Sequence, residues 1–191
     1  LSDLNLGGGY GVRYTDEDEA INIPARLAEL AAYLKEETER LGLPMPRFLM
    51  EPGRSIVADA GMTLYTVGSV KRIPGYKQYA AVDGGMTDNP RYALYQSRYT
   101  VYHAHKSGSL ERFDVVGRCC ESGDIIQPGV ELPGDTCRGD ILAVCTTGAY
   151  NYSMASNYNR LPRPAVVMLT PDRIYEAVRR ETFADLTGLD L

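Results

Sequence analysis

The sequence predicts two unlike parts in succession, an α/β segment over residues 1–57 and an all-β domain over residues 58–191. Three observations predict them. An amphipathic helical pattern of about five turns lies between two short apolar runs. Each apolar run ends in a loop marked by glycine or proline. After Ala60 the chain turns to short β-rich runs separated by turn clusters such as Pro133-Gly134-Asp135.

Leu1-Ser2-Asp3-Leu4-Asn5-Leu6 reads as the end of a strand running into Gly7-Gly8-Gly9-Tyr10-Gly11. A chain that opens in mid-strand is expected to be the later part of a longer protein. Ile23, Leu27, Leu30, Ala31, Leu34 and Leu41 follow helical spacing, with Asn22 as N-cap, Pro24 in the first turn and Gly42 just past the end. Pro44 and Pro46 stop that helix, and Phe48-Leu49-Met50 reads as a short buried strand ending in the polar loop Glu51-Pro52-Gly53-Arg54. Strand, loop, helix, strand, loop is an α/β unit. In parallel α/β architectures the ligand lies at the C-terminal ends of the strands, where both loops fall. The all-β part is expected to hold strands at Met62–Val70, Gln78–Val82, Tyr99–Ala104, Arg112–Val116, Ile141–Val144 and Ala165–Thr170. Arg173 to Leu191 reads as a strand followed by a short helix.

Composition removes several function classes. The net charge of -5 arises from 25 acidic and 20 basic residues scattered along the chain, with no basic run to track a phosphate backbone, so no nucleic-acid partner is expected. No stretch reaches the roughly 20 apolar residues of a membrane span, and no leader pattern stands at the N-terminus, so a cytoplasmic location without membrane partners is expected. Cys119, Cys120, Cys137 and Cys145 match no zinc-ribbon spacing, and adjacent cysteines rarely bridge, which leaves reduced thiols. Alternation over Arg98–His105 would put His103 and His105 on one strand face, but no carboxylate or cysteine cluster adjoins them in sequence, and no metal is expected.

Five segments have residue types suited to chemistry. Gly7-Gly8-Gly9 with Gly11 lets backbone N–H groups converge on an anion, or is a plain tight turn; it is neither a P-loop nor a full dinucleotide fingerprint. In Glu51-Pro52-Gly53-Arg54 a proline-stiffened turn precedes a guanidinium that can grip carboxylate or phosphate, the plain alternative being a surface turn. The loop from Asp83 to Tyr95 carries Arg91 and Tyr95 four residues apart, suited to a ligand carboxylate unless Arg91 pairs with a surface acid. Cys119-Cys120-Glu121-Ser122-Gly123-Asp124 sets a thiol beside a carboxylate, either a proton donor or a structural cysteine. From Gly148 to Asn159 three tyrosines and three asparagines crowd a segment with little core-forming character, as a ligand-facing loop or helix start would.

In type and order these segments resemble the fold-type III pyridoxal-phosphate (PLP) decarboxylases, and among them most closely the diaminopimelate decarboxylases. The resemblance rests on LNLGGGYG (Leu4 to Gly11), EPGRSIV (Glu51 to Val57), DGGMTDNPRYALY (Asp83 to Tyr95), CESGD (Cys120 to Asp124) and GAYNYSMASNYN (Gly148 to Asn159), which span almost the whole chain. It implies that residues 1–57 are the last units of a PLP-binding (β/α)8 barrel and residues 58–191 a β-barrel or β-sandwich C-terminal domain. It further implies that Gly8, Gly9, Glu51, Pro52, Gly53 and Arg54 face the PLP phosphate and that Tyr150 lies against the cofactor. Arg54, Arg91, Tyr95, Glu121 and Tyr150 would hold an amino-acid substrate, and Cys120 would donate a proton. The implied reaction is decarboxylation of meso-2,6-diaminopimelate to L-lysine in a homodimer with shared active sites.

Two departures from the family pattern stand out. Its Schiff-base lysine lies in an early barrel strand, and none of Lys35, Lys71, Lys77 or Lys106 has that context. Arg118-Cys119 replaces the proline-containing approach expected before the cysteine. The rival readings are a relative acting on ornithine, arginine or carboxynorspermidine, and a non-catalytic binding protein of the same fold. CESGD with MASNYN favours diaminopimelate, and intact Cys120, Arg54 and Tyr150 oppose loss of catalysis.

Overall fold

The computed structural model describes residues 1–191. Strands β1 (Asp3–Asn5) and β2 (Arg47–Leu49) pair in parallel with Leu4 opposite Phe48, and helix α1 (Ile23–Arg40) joins them. The helix begins where expected: Asn22 Oδ1 accepts the Ala25 N–H at 3.1 Å, capping a donor that has no partner within the helix. Gly42, beyond its end, takes φ +63°, in the left-handed region open to glycine.

The expectation of a buried second strand needs correcting. Leu49 is 41% exposed, because β2 has only β1 beside it and α1 buries none of its residues. Glu51-Pro52-Gly53-Arg54 is also more than a loop. Pro52, with φ -78°, caps a short helix α2 (Gly53–Val57), because its fixed φ already suits helix entry.

The larger body is a six-stranded sheet. Its strands are β3 (Met62–Arg72), β4 (Gln78–Val82), β5 (Val101–His103), β6 (Leu110–Val116), β7 (Ile125–Pro133) and β8 (Ile141–Cys145), in spatial order β5-β8-β3-β4-β6-β7. All neighbours run antiparallel except β4 and β6. The two edges approach one another just before β5, where the Tyr99 N–H donates to Gln127 Oε1 at 2.8 Å. The sheet is thereby curled into a nearly closed barrel.

Its core follows from alternation. Tyr65 and Val67, Ala80 and Val82, Phe113 and Val115, and Leu142 and Val144 stand two apart on four strands, and all are buried with Ile126, Val130 and Leu132 from β7. Burying a side chain such as Phe113 contributes roughly 1.5–3 kcal/mol. Two short helices lie in the connections, α3 (Arg91–Tyr95) and α4 (Asn151–Met154). The chain ends in an antiparallel hairpin of β9 (Val166–Leu169) and β10 (Ile174–Val178), followed by α5 (Phe183–Thr187), whose Thr182 and Asp185 form a capping box. The strand and short helix expected after Arg173 are present.

Two further expectations fail for local reasons. Strand β7 is absent from the sequence reading because Pro128-Gly129 punctuates it. It lies at the sheet edge, where a missing N–H costs no ladder bond, and Gly129 takes φ +68° at a register shift against β6. The two histidines do not share a strand face, because β5 stops at His103. The buried His103 ring accepts the His105 and Lys106 N–H groups at Nδ1 and sets Nε2 3.1 Å from Asp140. No group of three or more metal-ligating side chains occurs, and no helix is long and apolar enough to cross a membrane.

Candidate functional site

A glycine contact holds the segment after β8 against the residues at and just beyond the end of α2. The Gly148 N–H donates to the Ala58 carbonyl at 2.9 Å and the Thr147 N–H to the Gly61 carbonyl at 2.9 Å. A Cβ on Gly148 would collide with the Val57 carbonyl oxygen, and one on Gly61 with the backbone of Gly148. Only glycines allow this approach. It sets the end of α2 against the segment that follows β8, and Tyr150 two residues later adopts φ +72°, ψ -42°, a strained backbone for a bulky residue.

From there the Tyr150 ring meets two guanidiniums, with Arg54 Cζ 5.4 Å and Arg91 Cζ 5.0 Å from its centroid. Arg91 opens α3, and the helical i,i+4 relation brings Tyr95 under the same guanidinium at 5.2 Å. Four of the sequence-selected residues thus form one cluster.

Its electrostatics are unusual. Arg91 is only 7% exposed, its Nε has no hydrogen-bond partner, and its Nη1 reaches only Met154 Sδ at 3.9 Å. Neither Arg54 nor Arg91 takes part in an ion pair. A buried cation without a counter-charge is costly, so this cluster is complementary to an anion. Within this chain Arg91 pairs with no surface acid.

The glycine loop lies against the other end of the Glu51–Arg54 segment. The Glu51 N–H donates to the Gly7 carbonyl at 2.8 Å, and a Cβ on Gly8 would collide with the Glu51 carbonyl. Gly7 and Gly9 have φ of +70° and +91° with open space beside them. Asn5 ties the corner together, accepting from the Gly7 N–H at 2.8 Å and donating to Glu51 Oε1 at 2.6 Å.

Cys120 and Glu121 stand elsewhere. No hydrogen bond, ion pair or ring contact joins them to Arg54, Arg91 or Tyr150 within this chain. Their turn hangs from the loop that precedes α3. Asp124, 4% exposed, accepts the Met86 N–H at Oδ1 and the Cys119 N–H at Oδ2, both at 2.6 Å, while the Arg118 N–H donates to the Gly84 carbonyl at 3.1 Å. Hydrogen bonds from the Gly123 N–H first, then from Ser122, hold the Glu121 carboxyl below the usual carboxylate range, so it stays charged. Burial first, and the charge of Asp124 second, push the Cys119 thiol up to about 11. Cys119 is therefore a poor source of thiolate, while Cys120 faces solvent. Sequence reasoning gave no role to Asp124 or to Asn159, whose Oδ1 accepts the Cys120 N–H at 2.8 Å. No local spacing links Asn159 to a cysteine 39 residues earlier.

A phosphorylated aromatic ligand such as PLP fits the first cluster. The unpaired Arg54 calls for anionic oxygen, the Gly7–Gly9 backbone offers an approach free of side chains, and the Tyr150 ring supplies a flat apolar surface, while the orphaned Nε of Arg91 is left for a second anionic group.

Comparison with known proteins agrees. The family model described as pyridoxal-dependent decarboxylase, C-terminal sheet domain, matches residues 15–148. Diaminopimelate decarboxylase of Bacillus subtilis is 50% identical over 98% of this chain and 43% of its own length. The crystal structure of diaminopimelate decarboxylase from M. jannaschii superposes with a TM-score of 0.93 at 32% identity, covering 100% of this chain and 43% of that one. The Helicobacter pylori enzyme complexed with L-lysine superposes at 0.87 with 33% identity, covering 100% and 45%. This chain spans less than half the length of each relative. By the extent of the model match, with strands β3 to β8 inside it, the chain belongs to the pyridoxal-dependent decarboxylases through their C-terminal sheet domain.

Proposed function

We propose that this chain is the substrate-facing part of a PLP-dependent decarboxylase that converts meso-2,6-diaminopimelate to L-lysine. The observation that carries the proposal is the buried, unpaired Arg91 stacked with Arg54 on Tyr150, a cationic cluster that folding alone does not explain. Residues 1–57 would close a PLP-binding (β/α)8 barrel, and residues 58–191 would form the domain that covers it. Lys77 and Lys106 are paired with Asp114 and Asp140, and Lys35 and Lys71 lie on exposed faces of α1 and β3. The anchoring lysine is therefore assigned to the portion of the relatives that this chain does not span.

Within this reading the residues divide the work. Gly8, Gly9 and Glu51–Arg54 hold the cofactor phosphate, and Tyr150 lies along its ring. When bound, PLP stores the electron pair released as the α-carboxylate leaves as carbon dioxide. Arg91 and Tyr95 hold the distal carboxylate of the substrate, joined by Arg54 at the phosphate end, while the charged Glu121 holds the distal ammonium. Cys120 gives its thiol proton to the carbon that lost the carboxylate.

Because no contact in one chain brings Cys120 to the Arg91 cluster, we assign the two groups to different active sites of a two-fold homodimer, each completed by the partner subunit. The first test is turnover by the full-length enzyme. Release of carbon dioxide from diaminopimelate is expected, and turnover of ornithine without diaminopimelate overturns the substrate assignment. The second mixes a full-length Cys120→Ala subunit with one lacking the anchoring lysine. Random exchange makes half the dimers hybrids with one intact site, so activity should return to about one quarter of wild type. No recovery despite proven exchange would place Cys120 in its own subunit's site.

A further inference from the structure

We infer that Asn159 is a positioning residue that aims the Cys120 thiol. The inference rests on the reading of Cys120 as proton donor and adds the residue that makes an exposed thiol directional.

Cys120 lies in an irregular, solvent-facing turn where side-chain packing does not fix it. Its backbone is nonetheless held. The Cys119 N–H is taken by Asp124 Oδ2 at 2.6 Å and the next N–H, that of Cys120, by Asn159 Oδ1 at 2.8 Å. Two successive peptide groups are thus fixed by different acceptors, one inside the turn and one from a segment 39 residues on. The Glu121 N–H also donates to the Cys119 carbonyl at 2.8 Å, closing a tight turn around Cys120, so its backbone torsions and the direction of its Cα–Cβ bond are held and one side-chain rotation is left to choose the place of Sγ.

Asn159 is itself locked for this task. It has φ +54°, ψ +23°, in the left-handed region where asparagine and aspartate are the non-glycine residues best tolerated. Arg160 follows at φ +54°, and its N–H donates to the Asn157 carbonyl at 2.8 Å. Asn157 Nδ2 bonds Glu181 Oε2 at 2.6 Å and the Leu161 carbonyl at 3.1 Å, while Glu181 also accepts Arg163 Nε at 2.7 Å. The acceptor therefore stands on a bonded scaffold that continues into the C-terminal segment. The same turn brings the Tyr158 hydroxyl to Glu121 Oε2 at 3.4 Å, so one short segment addresses both the thiol turn and its neighbouring carboxylate. A carboxamide suits the position. It accepts a hydrogen bond as firmly as a peptide carbonyl.

The test uses the full-length holoenzyme with two substitutions that both suit the backbone. Asn159→Gly accepts the left-handed φ and removes the acceptor, whereas Asn159→Asp accepts the φ and keeps it. We expect Asn159→Gly to lose about 10²-fold in kcat with KM nearly unchanged, the size of loss that a misplaced catalytic group causes. Asn159→Asp is expected to retain most of the wild-type kcat. Wild-type kcat in Asn159→Gly, an equal loss in Asn159→Asp, or a KM rising by the factor that kcat falls, would each overturn the inference. Cys120→Ala measured alongside separates the two levels. Full turnover in Cys120→Ala removes the proton-donor reading itself, whereas a crippled Cys120→Ala beside an unimpaired Asn159→Gly removes only the role of Asn159.

Discussion

Arg91 and Cys120 are reached from the same stretch of backbone, residues 84–91, yet they are built on opposite principles. Arg91 is enclosed and electrostatically unfinished, a cation with an orphaned Nε between two tyrosine rings. Cys120 is exposed and structurally finished, with its turn bonded to Asp124 and Asn159. The first arrangement opposes folding and favours a ligand, because bound anion relieves a charge that the fold leaves unpaired. The second costs the fold little and presents a reactive group outward. An enclosed receptor and a displayed reagent are the two things needed if one surface receives a ligand while another serves a neighbouring site.

The sharpest way to break this contrast is at the cysteines. In the full-length enzyme Cys120→Ala is expected to lower kcat by about 10² to 10⁴, the range of general acid catalysis, with little change in KM, while Cys119→Ala changes neither. Equal behaviour of the two variants would mean that exposure and turn geometry do not distinguish them.

Next in size is Arg91→Met, which keeps the stem and deletes the charge. It should lower kcat/KM about 10- to 10²-fold, matching the loss of charge-assisted hydrogen bonds of about 1.5–3 kcal/mol. In the absence of ligand the same variant should melt a few degrees higher than wild type, since a buried unpaired charge has gone. A lower melting temperature would show that the guanidinium is structural after all.

Gly148→Ala probes the junction that delivers Tyr150 to the cluster. The new methyl collides with backbone rather than a movable side chain, so a loss of about 1–3 kcal/mol in urea unfolding is expected, together with weaker PLP retention in the full-length enzyme. Gly53→Ala, which meets open space, should be close to neutral in urea unfolding, and a similar unfolding cost at both positions would refute the close-approach account.

The smallest effect concerns the base shared by both regions. Tyr65 donates its hydroxyl to the half-buried Asp88, whose Oδ1 accepts the Gly85 N–H at 2.8 Å. Burial raises the Asp88 carboxyl above its ordinary value, and the Tyr65 hydroxyl pulls it back down. A carboxyl raised in the folded state holds its proton longer there than in the unfolded chain. Its contribution is full below the unfolded value near 3.8 and is lost as pH rises through the raised folded value. Tyr65→Phe removes the hydroxyl that makes ionisation tolerable. Its deficit, about 1 kcal/mol, should therefore be larger at pH 8 than at pH 4 in paired denaturation curves. A deficit independent of pH would show that Asp88 does not ionise in the native state.

Much of this molecule was legible in its residues because alternation and caps are local. Asn22 and Gly42 bracket α1, and the paired positions Tyr65/Val67 and Leu142/Val144 mark strands facing a core. Strand β7 escaped because Pro128-Gly129 carries a turn signal that an edge position neutralises. Helices α2 and α3, five residues each and entered through Pro52 and Pro90, are too short for a period to register. In the site, Arg91 and Tyr95 were readable as an i,i+4 pair. Their meeting with Tyr150 was not, since it depends on Gly61 and Gly148 closing over 87 positions of chain. The distribution of the five motifs over one cluster and one separate turn is likewise a tertiary fact.

The bulged β7 has a consequence for how copies of this protein behave when crowded. A sheet edge with an unbroken row of N–H and C=O groups is a template on which another strand can grow, the start of fibrous aggregation. Here Pro128 deletes one donor, Gly129 turns the backbone to φ +68°, and Gln127 extends its side chain to the opposite edge at Tyr99. The curled sheet offers no flat ladder on that side, so the features that hid β7 from the sequence also guard the folded protein against strand-by-strand polymerisation.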